Sequence, residues 1–394
     1  MSLLNAPDVE QVLPDVLEVV REHAVPADEA AEFPVAALDA LRRSGLLGLL
    51  VPAEHGGLGG TVRDMLHVSD RLSRECMSVG MIYAMHCQQV ATLVEYAGEE
   101  LRATLLPRIA KGEIYVASVT TEPGKGGHLL TSESPLAGDG EWLHLDRMAP
   151  IVTGGAHADG FLITMLAPGA DSPGQVSLVY ADRDQLDLTA LGGWDPLGMR
   201  ATHSLPMKIV GDVPANQVVG PHGEFRDIST RVFAPLAHLG WATCWLGTAA
   251  GALSRTLRLL RSPEERKKRD LQSELLRVRL SRIRQRLDTV HALIEHGLTQ
   301  YLGQADGTAA VDLSAPPVQL LLNAVKLTAS QECHAAVDDL VELIGMRHGY
   351  LRNSELALER ALRDLRSAPL NYANERLELA DGALTLMDSE VRLA

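Results

Sequence analysis

The sequence predicts an α+β fold of three domains: a helical domain over 1–114, a β-barrel or sandwich over 115–226 and a helical bundle over 227–394. Three observations predict it. Apolar residues recur at three- and four-residue spacing up to about Glu113; short β-branched runs broken by Gly, Asp and Pro follow; and the helical period returns from Phe233.

In the first region Leu38, Leu41, Leu46 and Leu49 illustrate the helical spacing, with a helix expected after Pro34 and ending near Gly45. Gly56, Gly57, Gly59 and Gly60 then mark a turn where backbone must approach something closely. The next long helix should end near Gly98. In the second region YVASVTT, APIVTGG, GFLITML, VSLVYA and SLPMKIVG read as strands. In the third, WATCWLGTAAGALSRTLRLL, LQSELLRVRLSRIRQRLDTVHALIEHGL and PVQLLLNAVKLTASQECHAAVDDLVELIG are each long enough for a bundle helix. Residues 303–316 read as an interhelical loop.

At 394 residues the chain can bury a large core without disulfides or metals. Its aromatic content of 4% means that this core rests on Leu, Val and Ala. Cys76, Cys87, Cys244 and Cys333 lie far apart with no CxxC pair, which predicts buried free thiols and no metal site. The N-terminal stretch carries four acids before its first Arg, and no segment has about 18 consecutive apolar residues, so a cytoplasmic protein with no membrane span is expected. A net charge of −15 argues against nucleic acid as a partner. Between Arg255 and Arg286, however, twelve Arg or Lys stand against four acids, a candidate anion-binding surface or an ordinary solvated helix.

Several segments carry chemistry. Thr121-Glu122-Pro123-Gly124 follows a strand and opens a glycine-rich turn that continues through Gly126 and Gly127. Pro150-Ile151-Val152-Thr153-Gly154-Gly155 ends another strand. Gly198-Met199-Arg200-Ala201-Thr202-His203-Ser204 and Val213-Pro214 through Val219-Gly220 follow. Lys326-Leu327-Thr328-Ala329-Ser330, Gly349-Tyr350 and Glu359-Arg360-Ala361-Leu362-Arg363-Asp364 close the series. In order and spacing these resemble the marks of the acyl-CoA dehydrogenase superfamily. The resemblance implies a C-terminal four-helix bundle and FAD as cofactor. It places Thr120, Thr121, Gly126, Gly127, Ile151 and Thr153 along the flavin, with Asn374 beside it. Ile151 stands where the family usually has an aromatic.

The chain departs from the family at the base. In the usual enzyme a glutamate removes the α-proton of an acyl thioester while hydride leaves the β-carbon for the flavin. Nine residues past Arg363, where that glutamate most often lies, this chain has Tyr372 with Asn371 before it. The less common location, on the first bundle helix, falls on Ala237 beside His238. Glu375, or His238 with a pKa suited to neutral pH, are the candidate displaced bases; a surface carboxylate and a structural histidine are the alternatives. The family's Arg-x-x-Phe-Gly mark is also absent. Arg266, Lys267 or Arg347 are then candidates for phosphate contacts to a dinucleotide shared between subunits.

The resemblance therefore implies a flavin-dependent oxidoreductase acting on an acyl thioester, CoA-bound or carried by an acyl carrier protein, through displaced-base or decarboxylation-assisted oxidation. Relatives of the same fold include monooxygenases that work through a C4a-hydroperoxide and receive electrons from a flavin reductase. A binding protein that has kept only the fold is the third reading. The resemblance also implies a homodimer or homotetramer, and an electron acceptor if the chemistry is dehydrogenation.

Overall fold

The computed structural model describes residues 9–124, 128–138, 140–305, 311–352 and 354–394. It divides into two compact units. The first comprises the chain up to Val68, Ile82–Asp195 and Arg200–Ala237; the second comprises Ser69–Met81, Pro196–Met199 and His238–Ala394.

The N-terminal part supplies α1 (Val9–Ala30), α2 (Val35–Arg43), α3 (Val62–Glu75), α4 (Met77–Tyr96) and α5 (Glu99–Ala110). The period visible in the sequence is the burial period: Leu13, Val16, Leu17, Val20 and Ala24 form the buried stripe of α1. Helix α2 follows Pro34 and ends before Gly45, which adopts a left-handed φ of 76°.

The strands are β1 (Val116–Val119), β2 (Ala137–Gly138), β3 (Trp142–Val152), β4 (Gly160–Leu166), β5 (Val176–Asp182), β6 (Leu186–Ala190), β7 (Leu205–Pro214) and β8 (Val218–Val219). They form two four-stranded sheets, in the orders β1-β4-β5-β8 and β2-β3-β7-β6. Strands β4 and β5 are central in the first sheet and buried almost throughout, so GFLITML and VSLVYA read as continuous apolar runs. Strand β3 instead alternates buried and exposed positions over most of its length. Val51, Val90, Leu93, Leu105, Leu162, Leu178 and Phe225 belong to one core that joins α4, α5 and the first sheet.

The second unit is built chiefly from α7 (Ala234–Leu260), which starts just inside the first unit and follows the short α6 (Phe225–Ile228), and from α8 (Pro263–Lys268), α9 (Glu274–Ala305), α10 (Pro316–Ile344), α11 (Leu358–Leu365) and α12 (Asn374–Met387). Ile283, Leu287, Val290 and Ile294 of α9 and Val325, Ala329, Cys333 and Ala336 of α10 are buried, the expected Leu-, Val- and Ala-rich interior. A Cβ at Gly247 would lie 2.5 Å from the carbonyl oxygen of Asp70, so only glycine allows the backbones of α7 and the 69–81 segment to approach this closely. All four cysteines are buried free thiols, as the sequence predicts. Helix α9 continues three residues into the expected loop, to Ala305, while residues 306–310 of that loop lie outside the described residues. Among the described residues no helix is long and apolar enough to cross a membrane.

Candidate functional site

In the first unit the predicted flavin-contacting residues converge on one rim. Thr120 and Thr121 leave the end of β1, and both are partly exposed. On β3 the pairing with β7 slips between Ala149 and Val152, where Pro150 offers no backbone donor. The slip turns Ile151 outward to 49% exposure. The Thr121 hydroxyl spans this irregularity: it donates to the Ile151 carbonyl at 3.1 Å and accepts from the Ile151 amide at 3.3 Å. Two residues on, the Thr153 hydroxyl lies 3.0 Å from that of Ser204, which lies 2.8 Å from that of Thr202. Gly154 then turns with φ 61°, and its amide donates to the Thr202 carbonyl at 3.0 Å. Gly126 and Gly127 lie outside the described residues.

Beneath the rim, Glu122 is buried and forms an ion pair with the fully buried Arg147 of β3. The Glu122 carboxylate also accepts from the Ser132 hydroxyl at 3.2 Å and from the Ser134 amide at 2.9 Å. Burial lowers the Arg147 pKa to about 10 against the opposing pull of Glu122. This pair anchors the Thr121–Gly124 turn to the sheet.

The second unit holds the residues at the family's base positions. Tyr372 is partly buried in a left-handed turn with φ 49°, an uncommon conformation for a bulky side chain, and burial raises its hydroxyl above its usual pKa. Asn371 is also partly buried, and its amide donates to the Ser367 carbonyl at 3.0 Å. Lys326 of α10 is fully buried beneath this turn. Its ammonium donates to the Tyr372 carbonyl at 2.9 Å and to the Asn374 side-chain oxygen at 2.5 Å, and lies 5.9 Å from the Trp245 ring centroid. Burial lowers the Lys326 pKa to about 8, partly opposed by Glu378. The amide nitrogen of Asn374 donates to Ser330 at 3.0 Å, so both ends of that side chain are engaged internally.

The two displaced-base candidates stand in different surroundings. Glu375 is exposed at the start of α12. His238 is buried, and burial followed by the charge of Lys326 lowers its pKa to about 4, which corrects the near-neutral value expected from the sequence. Arg266 and Lys267 on α8 and Arg347 in the turn after α10 are exposed. Much of the expected basic surface is internally paired: Lys268 and Arg269 with Glu265, Arg279 with Glu342, Arg284 with Asp288, and Arg286 with Glu332 and Asp339.

The kinds of group at the rim fit an isoalloxazine, which needs an apolar surface against its rings and hydrogen-bonding groups for its polar edge. Ile151 could offer the first, and the Thr153 hydroxyl with neighbouring backbone the second, while the Thr121 hydroxyl, whose proton goes to the Ile151 carbonyl, keeps only a lone pair to offer. Arg147, Lys326 and the Thr202–Ser204 pair received no individual role from the sequence. Arg147 had a usable signal, because it occupies an inward position of the alternating WLHLDRMA run. Lys326 had one also, as a lone cation in the apolar stretch LLLNAVKL.

Two family models match: acyl-CoA dehydrogenase, N-terminal domain, over residues 9–113, and acyl-CoA dehydrogenase, C-terminal domain, over residues 236–370. A short-chain-specific acyl-CoA dehydrogenase from Clostridium acetobutylicum is 25% identical over 60% of this chain and 62% of its own length. The alignment thus spans a little under two thirds of that relative. An L-evernosamine nitrososynthase from a Micromonospora species is 28% identical over 96% of this chain and 90% of its own length. Among solved structures, FMN-bound TdsC from Paenibacillus sp. A11-2 superposes with a TM-score of 0.82 at 21% identity, covering 96% of both chains. Two domain models of one family, matched in order on either side of the paired sheets, place the chain in the acyl-CoA dehydrogenase superfamily.

Proposed function

We propose that this chain is a flavin-dependent oxidoreductase that holds FAD along the Thr121–Ile151–Thr153 rim and oxidises an acyl thioester without a carboxylate base. The observation that carries this reading is the chemistry around Tyr372. No acid lies between Asp364 and Glu375, Glu375 is exposed, and the neighbouring candidate His238 has a pKa of about 4. A base that removes an α-proton works best with a pKa near the operating pH, and His238 does not meet that condition. A β-keto or malonyl-type acid avoids the requirement: its carbon–carboxylate bond breaks, CO2 leaves, and the electron pair stays on the α-carbon. That pair would close the α,β double bond as hydride leaves the β-carbon, and FAD, when bound, would supply the hydride acceptor. Exposed Arg266, Lys267 and Arg347 suit the phosphates of a dinucleotide or of a CoA or carrier-protein pantetheine. The reading includes a homodimer or homotetramer, a cytoplasmic location and an external electron acceptor.

The similarity to the nitrososynthase over nearly the whole chain favours a second reading, a flavin monooxygenase supplied by a flavin reductase. One experiment separates the two. Purified protein is loaded with FAD and mixed anaerobically with acyl thioesters, including β-carboxylated ones. Bleaching of the visible flavin band supports thioester oxidation. No bleaching, with substrate-dependent oxygen incorporation when reduced flavin is supplied, supports the monooxygenase. A protein that remains colourless and takes up no FAD refutes both.

A further inference from the structure

Ser204 is buried at 4% exposure and Thr202 at 3%, and neither is among the residues expected to touch the cofactor. Their hydroxyls continue inward from Thr153 as a chain of three oxygens with separations of 3.0 and 2.8 Å. The chain is held from both sides. The β3–β7 pairing sets Val152 opposite Leu205, and the Gly154 amide binds the Thr202 carbonyl. Between Thr202 and Ser204 the backbone passes through His203 at φ 44°, a conformation that surrounding structure must maintain. A Cβ on Gly154 would meet the Phe33 ring at 2.6 Å and the Tyr115 hydroxyl at 2.7 Å, so only glycine fits at this turn.

Each hydroxyl carries one proton and two lone pairs, so Ser204, between two oxygens, can donate to one while accepting from the other. The chain has two concerted arrangements. In one, Ser204 donates to Thr153, whose proton then points out of the chain. In the other, Thr153 donates to Ser204 and offers only lone pairs outward.

We propose that Ser204, backed by Thr202, is a positioning residue that sets the Thr153 hydroxyl as donor or acceptor toward the bound flavin. The proposal rests on the reading that Thr153 faces the flavin. A ring nitrogen of a flavin accepts a hydrogen bond when oxidised and donates one when reduced. A lone threonine hydroxyl can meet either state only by rotating freely, whereas a buried chain answers by reversing its direction while the heavy atoms stay in place.

The test is a double-mutant cycle on FAD affinity, measured by flavin fluorescence on apoprotein and requiring no substrate. Ser204→Ala should weaken FAD binding about fivefold, the equivalent of one hydrogen bond of about 1 kcal/mol. Thr153→Val should weaken it by at least as much, and Ser204→Ala should add nothing in the Thr153→Val background. An equal loss in both backgrounds, or none from Ser204→Ala alone, overturns the proposal. Unchanged affinity in Thr153→Val instead refutes the placement of the flavin against Thr153. If Ser204→Ala fails to fold, Thr202→Val breaks the chain one hydroxyl further back; its loss should be smaller and should likewise vanish with Thr153→Val, and persistence there overturns the proposal.

Discussion

Replacing Lys326 with methionine should remove a specific pH dependence from the stability of the protein. The ammonium is fully buried, and burial lowers its pKa from 10.5 to about 8. Below the folded value both states carry the proton, and the cost of burying the charge is present in full. Between the two values only the unfolded chain binds that proton, so stability rises with pH by about 1.4 kcal/mol per pH step, or about 3 kcal/mol over the window. Lys326→Met lacks this term, while every other lysine and tyrosine is common to both proteins. Urea unfolding of both proteins at about pH 7.5 and about pH 10 should show the wild type gaining roughly 2–3 kcal/mol on the variant. At the lower pH the variant should be less stable by up to about 3 kcal/mol, because the two hydrogen bonds lost to the Tyr372 carbonyl and Asn374 cost about 1.5–3 kcal/mol each against relief of about 3 kcal/mol for the buried charge. Amide exchange at Tyr372–Asn374 should nevertheless quicken, because the strained turn loses its anchor. A stability difference that is flat or falls with rising pH refutes the reasoning.

Glu375→Gln should keep turnover within about twofold, because the exposed carboxylate is not the base; a loss beyond about tenfold restores it to that role. Arg147→Met should cost about 3–5 kcal/mol in urea unfolding because it leaves the buried Glu122 charge without its cation, and Glu122→Gln in the same chain should recover part of that loss. His86 is fully buried and bridges α4 to its surroundings, with Nε2 at 2.9 Å from the Leu47 carbonyl and Nδ1 accepting from the Val116 amide at 3.1 Å. Burial lowers its pKa to about 4, so it should stay neutral in an NMR titration down to about pH 5; its contribution to stability is lost as pH falls from 6.5 toward 4.

The order of helices, sheets and helices is legible in the sequence because burial there follows simple periods, as in α1, β4 and α10. The edge strands β2 and β6 escape the same reading: they are short and largely exposed, so no apolar pattern marks them. The rim is legible only in part. Thr121, Ile151 and Thr153 stand in recognisable marks, but the approach of Ser204 to Thr153 across 51 residues depends on a slip in the β3–β7 register that no local pattern encodes.

The buried cations explain why sequence and structure diverge most near the candidate site. A charge at an apolar position contradicts the pattern that makes a fold readable, and each here carries a desolvation cost that an apolar side chain of similar size would avoid. Arg147 holds the acid of the Thr121–Gly124 turn in the first unit; Lys326 holds the carbonyl of the left-handed Tyr372 turn in the second. Each turn carries residues proposed as functional, and neither cation is needed to continue its strand or helix. A chain that kept this fold only as a scaffold could replace Arg147 together with Glu122 by apolar residues without losing stability. A buried cation at each turn fixes the backbone position of that turn, as a binding site requires.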